Sequence, residues 1–113
     1  MSIRGTKATG VQKELEELIE HIEAKGYKVK FVSGKRMHDY LGMNPEAAKD
    51  MGWPCEKKTF LILATADTKT QLETLRHELI EFHQMKDNKK DYHEAHIVAL
   101  KGEDGVISVD RLL

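Results

Sequence analysis

The run Leu75-Arg76-His77-Glu78-Leu79-Ile80-Glu81 spells HExxE. On a helix, residues four apart share a face, so His77 and Glu81 can turn a nitrogen and an oxygen toward one cation. Glu78, directly after the first histidine, then stands where it can take a proton from a metal-bound water and act as the catalytic base. Carboxylate oxygen is an accepted zinc donor, so Glu81 in place of a second histidine still leaves a ligand set. Chance alone gives a match this relaxed about 0.14 times in a chain of such composition, so the pattern needs support from elsewhere. The histidines supply some. Four of the six, His77, His83, His93 and His96, fall within twenty residues, and a transition-metal site needs three or four donors converging on one point.

Spacing along the chain gives a second test. A helix over about 69–86 and another beginning near Asp91 and running through Lys101 are separated by the polar loop Asp87-Asn88-Lys89-Lys90. Glu81 lies five residues before the first helix ends and His96 five after the second begins, each about 7.5 Å of axis, so an antiparallel hairpin brings them level. His96 also falls in the inward stripe Tyr92, Ala95, Ala99, where an imidazole needs a partner. A His77/Glu81/His96 set has two histidines and one carboxylate, a net charge of +1 with a divalent ion, and room for water. Glu94 is the rival third ligand and would give a neutral site suited to a harder metal. His93, level with Gln84, is a weaker rival. Leu72, Leu75, Leu79 and Phe82 form the apolar stripe of the first helix, and His77 and Glu81 point almost opposite, toward either solvent or a cleft.

The elements that must hold these residues follow from periodicity. Val11, Leu15, Leu18, Ile19 and Ile22 recur at helical spacing up to Lys25, where Gly26 ends the helix; residues 1–8 are expected to fray. Tyr27–Phe31 alternates as a half-buried strand. Helical turns are expected over 36–41 and 45–51, the second opened by Pro45. Lys58–Ala66 is the clearest strand, apolar enough for burial on both faces. Asp67 or Thr68 caps the first chemistry-bearing helix and Asp91 the second, and Val106–Val109 reads as a last strand. The class is α+β: a small sheet of about three strands, an N-terminal helix and a C-terminal helix hairpin, in a single domain over 1–113.

A strand before Leu75-Arg76-His77-Glu78-Leu79, followed by a helix with Glu94-Ala95-His96 and Ala99-Leu100, resembles the minimal zincin metallopeptidase domains of phage-related and regulatory proteins. The resemblance spans roughly residues 10–103 and rests on those two short motifs. It implies a zinc-dependent peptidase with His77 as first ligand, Glu78 as general base and the third ligand on the later helix. Glu81 departs from the family's second histidine. The expected function is therefore zinc-dependent amide or peptide hydrolysis by a metal held on His77, Glu81 and His96, acting on a peptide or protein. The alternative is a non-catalytic interaction or adaptor module, with a structural metal or none.

Composition removes other classes. The chain has 113 residues, a net charge of −1 and one cysteine, Cys55. One cysteine forbids an intrachain disulfide and suits a reducing compartment, the cytoplasm. The longest apolar run is five residues, Phe60–Ala64, against the ~20 that span a bilayer; no membrane partner is expected, and the N-terminus lacks the apolar stretch of a signal peptide. Balanced charge argues against a nucleic-acid module. Gly5 and Gly10 have P-loop spacing but are followed by Val11-Gln12 instead of Lys-Ser/Thr. Cys55 is read as packing, Trp53 as an anchor of the middle segment, His21 and His38 as exposed, and His83 as a partly buried imidazole.

Overall fold

A computed structural model describes residues 2–38, 40–53, 56–102 and 112. Helix α1 (Ser2–Ala24) begins well before the expected Val11 and is followed by a turn at Gly26, whose φ of 90° is the left-handed conformation a glycine adopts without strain. Strand β1 (Lys28–Val32) follows, then the single turn α2 (Gly34–Met37), strand β2 (Gly42–Met43), α3 (Pro45–Met51), strand β3 (Thr59–Leu63), α4 (Thr68–Lys86) and α5 (Tyr92–Gly102). The architecture is α+β, as the composition of elements implied.

The described sheet has three strands in the order β1-β3-β2. β1 runs parallel to β3, with Lys28 opposite Thr59 and Val32 opposite Leu63, while β2 pairs antiparallel through Gly42 opposite Ile62 and Met43 opposite Leu61. Central β3 is buried on both faces, as its unbroken apolar run required. Phe60 and Ile62 join Leu15, Leu18 and Ile22 of α1 and Leu72, Leu75, Leu79 and Phe82 of α4. Leu61 points the other way, into Met37, Met43, Ala47 and Ala48.

The third strand departs from expectation. β2 lies between the two helical turns, where the sequence points to no strand because two residues are too few to show a period; its place is fixed by pairing to β3. The expected strand Val106–Val109, like Pro54 and Cys55, lies outside the described residues. α2 is shorter than the 36–41 turn, and β3 shorter than 58–66. Phe31 is 43% exposed, since the α1 core reaches Tyr27 and Val29 but not Phe31. His21 is half-buried instead of exposed.

α4 is the element on which the site depends. Asp67 caps it, its carboxylate accepting from the Thr70 N–H at 2.7 Å. Arg76 ties it to α1 through Glu14 at 2.7 Å. Its middle is buried nearly all round, including His77, Glu78 and Glu81, because α5 returns along the side turned away from the α1 core.

Candidate metal centre

Three heteroatoms meet where α5 crosses α4. His77 Nε2 is 3.3 Å from Glu81 Oε2, His96 Nδ1 is 3.0 Å from the same oxygen, and the two ring nitrogens are 3.2 Å apart. His77 and Glu81 share one face of α4, and the hairpin register brings His96 level with them. The side opposite the apolar stripe is thus a cleft wall. His77 is 8% exposed and Glu81 only 1%.

Protons cannot satisfy such a triangle. Each ring nitrogen offers either one in-plane hydrogen or one lone pair, so at most two of the three edges are hydrogen bonds and the third sets like groups face to face. A cation accepts all three lone pairs at once. Donors about 2.0–2.1 Å from one tetrahedral ion lie roughly 3.3–3.4 Å apart, close to the spacing seen here. Two imidazoles and a carboxylate suit zinc in chemistry as well. The residues present fit the ion.

Glu78 stands beside this cluster, 6% exposed, and faces the same cavity. Burial, reinforced by the charge of Glu81, pushes its carboxyl up to about 8, against the opposing pull of His77 and Asn44. Asn44 was not singled out from sequence. It is fully buried, and its side-chain oxygen caps α3 by accepting from the Ala47 N–H at 2.9 Å. That bond leaves the amide nitrogen facing α4, where it donates to Glu78 Oε1 at 3.1 Å and Glu81 Oε1 at 2.9 Å. Asn before Pro45 signals a helix cap; nothing local signals that the other end of the amide would orient two carboxylates.

Gly42 is the second missed residue. A Cβ there would lie 2.5 Å from Thr74 Cγ2, 3.0 Å from Glu78 Cγ and 3.2 Å from the Leu61 carbonyl. Only a residue without a side chain lets β2 close on α4 this tightly. Tyr92 stacks on the His96 ring, with centroids 5.6 Å apart and planes at 26°. Burial, then Glu81, Glu78 and Tyr40, raises its hydroxyl to about 12, so it stays a hydrogen-bond donor. The cavity over the cluster holds about 510 Å³. Tyr40, Leu41 and Leu100 on its rim are 40–53% exposed.

The rival ligands sit elsewhere. Glu94 closes a capping box at the start of α5: its N–H donates to Asp91 Oδ1 at 2.9 Å and its carboxylate accepts from the Asp91 N–H at 3.4 Å. His93 is exposed. His83 is half-buried beside Asp87, 2.9 Å away. Trp53 anchors the middle segment against the ring edges of His38 and Tyr40. Among the described residues, His77, Glu81 and His96 are the group able to hold a metal ion, and no described helix is long and apolar enough to cross a membrane. No protein-family model, curated protein or solved structure matches this chain.

Proposed function

We propose that the chain is a zinc-dependent hydrolase of amide or peptide bonds, similar in design to a minimal zincin, in which His77, Glu81 and His96 hold the metal. The supporting observation is the triangle of three donor atoms, 3.0–3.3 Å on a side, opening on a cavity that Glu78 also faces. Zinc supplies there a Lewis acid that polarises water and carbonyl oxygen. A divalent ion on the cluster would favour the ionised form of Glu78 against its burial, and Glu78 would then be the base that takes the proton from the attacking water and delivers it to the leaving amine. Asn44 bridges and orients the Glu78 and Glu81 carboxylates by donating to both, and the Tyr92 hydroxyl is the candidate donor to developing negative charge on the carbonyl oxygen.

Elemental analysis of protein purified without a histidine tag or chelator tests the metal. One zinc per chain is expected, lost in His77→Ala and His96→Ala. Sub-micromolar zinc affinity that survives His77→Ala overturns the assignment. Glu78→Gln tests the chemistry: it should retain the metal and lose peptide hydrolysis.

One observation favours a second reading, a non-catalytic interaction module. Tyr40, Leu41 and Leu100 leave apolar surface around the cavity mouth, as binding surfaces do. In that case a metal, if bound, is structural, and Glu78→Gln changes nothing but stability.

A further inference from the structure

A second cavity, sharing no residue with the first, lies between α3, the segment leading into β3 and the C-terminal end of α4. It holds about 600 Å³, within the roughly 300–1,000 Å³ of small-molecule sites. Tyr27, Trp53 and Phe82 form its apolar wall. Tyr27 and Phe82 meet edge to face with centroids 5.4 Å apart.

Its rim is cationic in a chain whose net charge is −1. Lys49, Lys57, Lys58 and Lys86 border it against Glu46 and Glu56. Glu56 is already engaged by Lys30 and, at 3.9 Å, by Lys28, and Lys86 leans toward Asp87 at 3.8 Å. Among the described residues, Lys49, Lys57 and Lys58 have no carboxylate partner. Lys58 is also held in the left-handed region, with φ of 57°, while its carbonyl accepts from the Lys28 N–H at 2.9 Å. Non-glycine residues keep such backbone strain only where their surroundings over-determine it. The result sets the Lys58 ammonium 5.7 Å from the Tyr27 ring centre, with Lys86 6.0 Å from that of Phe82. Cations are thereby gathered at the mouth of an aromatic-walled pocket.

We infer that this cavity binds a mononucleotide-class ligand, with the flat heterocycle against the half-buried Trp53, whose ring, among the described residues, carries no lysine as those of Tyr27 and Phe82 do, and the phosphate among Lys49, Lys57 and Lys58. An acidic peptide would engage the lysines but leave the wall uncovered. A nucleic-acid strand needs a track of cations along its backbone, whereas these gather around one pocket. The inference stands independently of the metal centre.

Trp53 is the chain's single tryptophan, so its fluorescence reports on this wall, and amide NMR separates that signal from changes at Tyr40, whose ring Trp53 also meets. Titration of the full chain with AMP and GMP should give a saturable change that weakens as salt rises. Adenosine should bind at least about tenfold more weakly. Lys49 and Lys57 are exposed, so the K49E/K57E double variant should fold, keep its zinc stoichiometry and lose at least about tenfold in AMP affinity. Lys57→Gln should fall between. Amide NMR shifts should map the bound nucleotide to Tyr27, Trp53 and Phe82. Failure of both nucleotides to saturate overturns the inference, as does adenosine binding as well as AMP. Tighter binding of a short RNA than of AMP assigns the face to nucleic acid instead.

Discussion

Two residues without chemistry of their own govern the chemistry of the site. Gly42→Ala drives a methyl into Thr74 Cγ2 and the Leu61 carbonyl, an overpacking that should cost about 1–3 kcal/mol. Adding Thr74→Ser removes the nearest obstacle, so the double variant should recover part of that loss in urea melts; no recovery would mean that the remaining contacts at Glu78 Cγ and the Leu61 carbonyl dominate. Asn44→Ala loses a helix cap and leaves two buried carboxylates without their donor, for about 2–4 kcal/mol. Glu78 supplies a pH test in chelator-treated protein. Its folded value near 8 lies above the ordinary 4.5, so the folded state holds the extra proton. The contribution to stability is complete below 4.5 and is lost as pH rises through 8. The stability difference between wild type and Glu78→Gln should therefore move against wild type across that window. A difference flat with pH would show that Glu78 is not held protonated by its burial.

At the scale of elements, the site is a matter of register between two helices. α5 brings His96 into place, and its first turn is fixed by the Asp91–Glu94 capping box. Asp91→Ala should cost about 1 kcal/mol and weaken zinc binding a few-fold without touching a donor, which isothermal titration would read; unchanged affinity would mean that packing of Ala95 and Ala99 alone sets the position of α5. This register was legible in sequence because helical rise is constant: counting residues from each end of the loop was enough to bring Glu81 and His96 together. The phase of α4 was legible only in part. Its apolar stripe marked the side facing the α1 core, but whether the opposite side met water or α5 depends on a contact between elements that no local pattern encodes. β2 was not legible at all, since a two-residue strand has no period and exists only through its pairing with β3. Asn44 and Gly42 were missed for the same reason: both flank or form that strand, and their roles arise from how closely it approaches α4.

For the whole molecule, the proposed metal at the triangle would link its occupancy to the stability of the fold. α4 contributes to the α1 core through Leu72, Leu75, Leu79 and Phe82, and α5 is held against α4 beside the three donors. A ligand that binds only the folded arrangement stabilises it by about 2.7 kcal/mol when present at a hundred times its dissociation constant. In a domain of this size that corresponds to a rise of roughly 10 °C in melting temperature. Chelator should therefore lower the melting temperature of zinc-loaded protein by about that amount, and zinc added in excess of chelator should restore it. The same comparison in His96→Ala isolates the hairpin's part: the variant should melt alike with and without zinc, because the two donors left on α4 no longer close a site across the helices. The measurement needs no substrate, so it separates metal binding from hydrolysis. If wild type melts identically with chelator and with zinc, the two imidazoles and the carboxylate are only a buried polar junction, and the hydrolase proposal fails with the metal.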